Sequence, residues 1–237
     1  MIRRDEGLVV RTLPYGDTSL IATLFTEQAA AVDFILKGVR APSRRPRHAT
    51  WLPLTRLQVV YYDTGREGLR RVNESHALYP AHQLQLDPIK RVYALLLTEV
   101  YAQSLRAVPP NPALYRYLCA AVAHLDQLDT GMYVAVLHHL VHLTRYLGFF
   151  PTTEVTLEEP LCLDLTSGCF IADPVGSPVD QLLLRLALTR PDHLQGFTVP
   201  GAQRSAALGQ LLAYYGCHVE GFRPPRSLEV FAQVFSG

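Results

Sequence analysis

The hydrophobic period of the chain changes once, near residue 87. Before that point, short apolar segments follow the two-residue rhythm of β-strands and are separated by turn-forming residues. Five strands are expected there, over residues 7–12, 19–26, 31–37, 54–62 and 68–78. In the second, Leu20, Ala22 and Leu24 share one face, and the Pro14-Tyr15-Gly16-Asp17 turn leads into it. The fourth, LTRLQVVYY, is rich in β-branched and aromatic residues, and Asp63-Thr64-Gly65 turns the chain into the fifth.

Beyond residue 87 the apolar positions recur at helical spacing. Asp87 is placed to cap a helix whose first turn holds Pro88, and Val92, Leu96, Val100 and Ser104 form its inner stripe, widened by Tyr93, Leu97 and Tyr101. Pro109-Pro110 ends it, Asn111-Pro112 starts a second helix, and a third spans 132–147 and stops at Gly148. Helical spacing then lapses, and residues 161–165 face 169–171 across Thr166-Ser167-Gly168 as a β-hairpin. Helices return over 179–188 and 203–215, with a short last one from Leu228.

The fold expected is therefore α+β. A five-stranded OB-fold barrel over 1–80 is followed by a mainly α-helical domain over 81–237, with a β-hairpin insertion near 155–173. OB-folds bind oligonucleotides along one face and through their loops, but they serve other ligands too.

Charge adds what the pattern lacks. The net charge is +1, yet residues 1–80 hold 12 Lys+Arg against 8 Asp+Glu while 81–237 hold 10 against 13. Between Asp33 and Asp63 there is no acidic residue, and Lys37, Arg40, Arg44, Arg45, Arg47 and Arg56 all fall there. Local positive charge without carboxylates is what phosphate binding and counterion release require, and these six are the candidate DNA-binding residues. Pro42 and Pro46 keep the loop extended. Tyr15, Trp51, Tyr61 and Tyr62 are candidates for stacking on unpaired bases.

Other chemistry is thinly represented. His138 and His142 are one helical turn apart, but the helix 132–147 holds no carboxylate, so a metal-dependent hydrolase built on them is a weak rival. There is no G-x-S-x-G, P-loop or dinucleotide fingerprint, and neither catalytic residues nor a cofactor are expected. An RNA-binding barrel module is the other alternative. No apolar run reaches the length of a membrane span, and Met1-Ile2-Arg3-Arg4-Asp5-Glu6 opens no signal peptide, so a cytoplasmic protein with four free thiols and no membrane partner is expected.

Ordered motifs extend the reading. Gly7-Leu8-Val9-Val10-Arg11-Thr12, Tyr15-Gly16-Asp17-Thr18-Ser19, Leu36-Lys37-Gly38-Val39-Arg40 with Ser43-Arg44, and Leu52-Pro53-Leu54-Thr55-Arg56-Leu57 resemble, in that order, the RecO family of DNA-repair proteins. Leu147-Gly148-Phe149-Phe150-Pro151, Tyr214-Tyr215 with His218, and Arg226-Ser227-Leu228 continue the resemblance to the C-terminal end. It implies a non-enzymatic recombination mediator at bacterial DNA. Such a protein binds single- and double-stranded DNA, anneals complementary strands, and works with RecR and single-stranded DNA-binding protein to load RecA. The resemblance places the basic DNA-contacting element on Lys37, Arg40 and Ser43-Arg44. Arg145, Tyr146 and Phe149 are the candidate seat of the acidic, aromatic-ending tail of single-stranded DNA-binding protein. Many members hold zinc on two Cys-x-x-Cys pairs. This chain has only Cys162 and Cys169 in that region, and no structural zinc is expected.

Overall fold

A computed structural model describes residues 1–41, 50–63, 68–153, 156, 158–194 and 197–235. The chain forms two compact units, Met1–Gln127 and Leu128–Gly237.

The first unit is built on strands β1 (Ile2–Tyr15), β2 (Ser19–Thr26), β3 (Ala30–Leu36), β4 (Arg56–Tyr62) and β5 (Arg70–Tyr79). They close into an OB-fold barrel in the order β1-β2-β3-β5-β4. All neighbours are antiparallel except β3 and β5, which meet in parallel through Phe34↔Arg70 and Ile35↔Arg71. β1 is twice the length expected from its apolar run. Its first half pairs with β4 and its second with β2, and Gly7 and Leu8 pair with both. A bulge between Val9 and Arg11 lets the strand bend from one partner to the other.

Alternation fills the interior with Val9, Leu20, Ala22, Leu24, Val32, Phe34, Leu36, Leu57, Val59 and Tyr61, joined by Val39 and Trp51 from the β3–β4 connection. Phe34 is the centre of this core. Its ring meets Tyr61 edge-on at 5.1 Å and Trp51 at 6.3 Å. Trp51 and Tyr61 are therefore structural: both are buried against Phe34 and unavailable for base stacking, because an aromatic on the inner side of a narrow barrel is consumed by the core.

Leu8 and Phe25, a cross-strand pair on the outer side of the barrel, are also fully buried. Helices α2 (Pro88–Ser104) and α3 (Pro112–Gln127) pack on β1 there, preceded by the short α1 (His82–Leu86). Asp87 caps α2, its carboxylate accepting from the amides of Ile89 and Lys90 at 2.8 and 3.0 Å. Asn111 does the same for α3 through the Leu114 amide at 3.0 Å. The expected inner stripe of α2, Ser104 included, is buried. The buried Asp126 near the end of α3 accepts from the Tyr79 hydroxyl at 2.7 Å and the Leu84 amide at 2.8 Å, tying β5 and α1 to that helix.

In the second unit, α4 (Met132–Leu147) begins after Gly131 and ends at Gly148, both left-handed with φ of 74° and 89°. A small sheet of β6 (Thr152–Thr153), β7 (Leu161–Asp164) and β8 (Cys169–Ala172) has the order β6-β8-β7. The expected hairpin is its antiparallel β7–β8 pair. Helices α5 (Pro178–Leu188), α6 (Gly201–His218) and α7 (Ser227–Phe235) follow, with α5 packed against α4, α6 and β7. Among the described residues, no helix is long and apolar enough to cross a membrane.

Gly7 is where the barrel leaves little room for a side chain. A Cβ there would stand 3.0 Å from Leu24 Cβ and Cδ2 and 3.1 Å from Thr26 Cγ2. Gly7→Ala should lower unfolding stability by about 1–3 kcal/mol, the usual cost of overpacking. Urea denaturation of variant and wild type checks this, and equal midpoints would contradict it.

Candidate nucleic-acid interface

The tight β1–β2 turn holds Gly16 at φ 57°, a left-handed conformation that favours glycine. The chain leaving β3 is fastened to that turn by Arg40, whose amide donates to Thr18 O at 2.9 Å and whose Nη1 donates to Gly16 O at 3.4 Å. Lys37 directly follows β3, and it and Arg40 are exposed. The parallel β3–β5 pairing brings Arg70 and Arg71 beside the end of β3, so two further cations join this end of the barrel. Lys37, Arg40 and Arg71 make no ion pair among the described residues. Arg70 is more engaged. It lies 5.7 Å from the Tyr61 ring centroid and 3.8 Å from Asp63, which also pairs with Arg3 at 2.8 Å.

The other candidate cations divide. Arg44, Arg45 and Arg47 lie outside the described residues. Arg56 is held by Glu6 across the β1–β4 pair at 2.6 Å. That carboxylate raises the guanidinium pKa further above its ordinary value and offsets its charge. Of the four candidate stacking aromatics, Tyr15 and Tyr62 are exposed, at 52% and 48%.

One surface was missed by the sequence reading. Cross-strand register sets Leu13 opposite Ile21, Ile21 opposite Ile35, and Ile35 opposite Arg71, which faces Tyr62. These are outward positions, interleaved with core residues such as Leu20, Leu36 and Tyr61. The signal was present in β2 and β3 as Ile21 and Ile35, apolar residues at odd positions of strands whose even positions form the core.

The histidines of α4 are occupied by backbone. His138 Nε2 lies 2.9 Å from Thr189 O and His142 Nε2 lies 3.2 Å from Leu186 O, at the end of α5, with the two rings 4.1 Å apart. His139 is buried between them in sequence. Burial lowers its pKa to about 3 and, with His138 and His142 adding to the effect, keeps it neutral; burial followed by His138 lowers that of His142 to about 4. Among the described residues, no three His, Cys, Asp or Glu side chains are gathered where they could hold a metal ion.

Arg145 is exposed on the last turn of α4, with its guanidinium 3.8 Å from the Phe150 ring centroid. Phe149 turns the other way. It stacks on His218 at 5.0 Å and meets Tyr214 and Tyr215 edge-on at 5.6 and 5.4 Å. Tyr146 is partly exposed beside them in sequence.

A basic, partly apolar OB-fold face joined to a helical unit matches two family models. Recombination protein O N terminal covers residues 1–81, and Recombination protein O C terminal covers 85–229. The chain belongs to the RecO family. It is similar over its whole length to DNA repair protein RecO of Phocaeicola vulgatus, 26% identical over 245 residues with 100% of both chains covered. It is also similar to the proteins of that name from Christiangramia forsetii, 29% identical over 244 residues covering 99% of this chain and 100% of that one, and Flavobacterium psychrophilum, 27% identical over 240 residues covering 98% and 99%.

The C-terminal RecO motifs converge in space. Phe149 O accepts from the Tyr214 hydroxyl at 2.5 Å, Tyr215 donates to Leu140 O at 2.7 Å, and His218 Nε2 lies 2.9 Å from Leu165 O. Together they tie α4 and α6 to the β7–β8 turn. Among the described residues, Cys162 and Cys169 are not joined by a third His, Cys, Asp or Glu in a group that could hold a metal ion. Cys162 faces Ile171 and Cys169 faces Asp164, and desolvation with the nearby Asp173 carboxylate raises the Cys162 thiol pKa.

The neutral histidines make stability pH-dependent. Their folded pKa values lie below the ordinary 6.5, so below that pH the unfolded chain binds more protons and stability is lost as pH falls toward about 4. The urea midpoint should drop between pH 7 and pH 5, and less steeply in His142→Gln. An identical slope in the variant would exclude His142 as a contributor.

Proposed function

We propose that the chain is a recombination mediator without catalytic chemistry of its own, binding single- and double-stranded DNA at the basic end of its barrel. The observation that carries this reading is the set Lys37, Arg40 and Arg71, without an ion pair among the described residues and gathered at one end of an OB-fold in a RecO-family chain. Arg44, Arg45 and Arg47 add charge close by in the sequence, and Arg56 contributes in part because Glu6 shares its charge. Bound cations reduce the repulsion between two DNA backbones while leaving base edges free to pair, so complementary strands anneal without a fuel molecule. RecR and single-stranded DNA-binding protein are the partners, and RecA loading is the downstream outcome. The exposed Arg145, mounted on Phe150, supplies a cation for the acidic tail of single-stranded DNA-binding protein, with Tyr146 and Phe149 beside it in sequence.

Annealing of complementary DNA strands coated with single-stranded DNA-binding protein should proceed with the chain present and persist in chelator. Failure to accelerate annealing would overturn the mediator reading, and loss on chelation would favour a metal-dependent activity. Replacing Lys37 and Arg40 together by Ala should weaken binding to DNA of every sequence and reduce the salt slope by about 1 per lost phosphate contact. An unchanged slope would remove these two residues from the interface. A tail peptide should bind Arg145→Ala less tightly than wild type, measured by fluorescence anisotropy, and equal affinity would exclude that placement.

A further inference from the structure

Two short turns meet at the basic end of the barrel. One joins β1 to β2 through Gly16, Asp17 and Thr18, and the other leaves β3 through Lys37, Gly38, Val39 and Arg40. Gly16 and Gly38 are both left-handed, with φ of 57° and 70°. A Cβ on either would meet nothing within 4 Å, so glycine serves there for its backbone conformation and not for want of space.

Lys37 and Arg40 are exposed, but the segment that carries them is anchored. Val39 is 9% exposed and belongs to the core cluster that holds Phe34 and Leu36. Arg40 is then held by the first turn. Its amide donates to Thr18 O at 2.9 Å and its Nη1 to Gly16 O at 3.4 Å, while the Ala41 amide closes the second turn on Gly38 O at 3.3 Å. The buried Val39 and the Thr18 carbonyl thus fix, from two directions, the backbone that bears both cations.

Attraction over a distance depends on how many charges are present and requires no particular geometry. Close contact is different, because ordering a long side chain on binding weakens affinity by about two- to tenfold. A cation whose backbone is already held incurs less of that loss. Arginine also presents a planar fork, so one Nη can rest on Gly16 O while the remaining N–H groups face a phosphate, whereas a lysine would have to divide one ammonium between the two.

We propose that the β1–β2 turn is the positioning element of the DNA-binding end. Gly16 and Thr18 hold Arg40, and with it the turn that bears Lys37, in the arrangement that meets a phosphate, without touching DNA themselves. This rests on the DNA-binding reading above and adds to it residues that act through Arg40 and not through charge.

Gly16→Val and Gly16→Asn separate conformation from charge. Both place a side chain in open space, but valine resists the left-handed conformation that asparagine tolerates. Gly16→Val should weaken binding to an oligothymidine and to a duplex of equal length alike, by about two- to tenfold with an unchanged salt slope, while Gly16→Asn binds as wild type does. In hydrogen exchange of the DNA-free protein, the Arg40 amide should be protected in wild type and Gly16→Asn and exchange faster in Gly16→Val. Arg40→Lys should reproduce the loss at constant slope, and it carries the test if thermal melting shows Gly16→Val to be unfolded. Wild-type affinity in Arg40→Lys, or in Gly16→Val with a fast-exchanging Arg40 amide, would overturn the positioning role and leave the basic end a DNA site. Equal losses in Gly16→Asn and Gly16→Val would overturn it too. A wild-type protein that binds neither DNA would remove the DNA reading, and the positioning role with it.

Discussion

The first unit depends on one strand serving two partners. β1 closes the barrel because its early residues pair with β4 and its late residues with β2, and Gly7 and Leu8 belong to both ladders. At that crossing the two neighbouring strands converge on β1, and the space over Gly7 is taken by Leu24 and Thr26. Absence of a side chain there, and the bulge just after it, allow a 14-residue strand to bend around a core as narrow as the Phe34–Tyr61–Trp51 cluster. Closure has a chemical consequence. It leaves β3 and β5 in parallel contact through the Phe34–Arg70 and Ile35–Arg71 pairs, and that short seam carries Arg70 and Arg71 beside the end of β3 that Lys37 follows.

Cations near one another in sequence are not equivalent once the strands pair. Arg56 faces Glu6 across the barrel wall, and Arg3 and Arg70 share Asp63. Lys37, Arg40 and Arg71 have no such carboxylate among the described residues, and Arg40 spends its hydrogen bonds on backbone carbonyls, which restrain its position without cancelling its charge. A phosphate approaching this end meets exposed positive charge. Among the described residues, that makes the barrel's end the coherent electrostatic feature.

The second unit uses its polar aromatics differently. Phe149, Tyr214, Tyr215 and His218 bond to one another and to backbone carbonyls of α4 and of the β7–β8 connection. This cluster and the α5 edge, where Asp180 accepts from Gln210, hold the small sheet to the helices. This region is thus joined by stacked rings and hydroxyl-to-carbonyl bonds. Phe149 is drawn into that cluster while Phe150 lies against Arg145 and His142, and both rings are partly buried.

Much of this was legible in the residues themselves. Local signals that act over a few residues were read directly: the alternation in β2, the Asp87-Pro88 start of α2, the glycines flanking α4 and the β7–β8 hairpin appear where the pattern puts them. Charge density likewise marked the barrel as basic, and ordered motifs marked the family. Tertiary structure decided what depends on partners distant in the chain. The charged residues 3–6 became strand only because β4 supplied a ladder for them, and Trp51 and Tyr61 went inward because Phe34 awaited them. Arg56 met Glu6 and Arg71 met Ile35 through register, which no single strand specifies. A sequence lists side chains by their order along one backbone, whereas neutralisation, burial and a continuous outer row are properties of several backbones laid side by side.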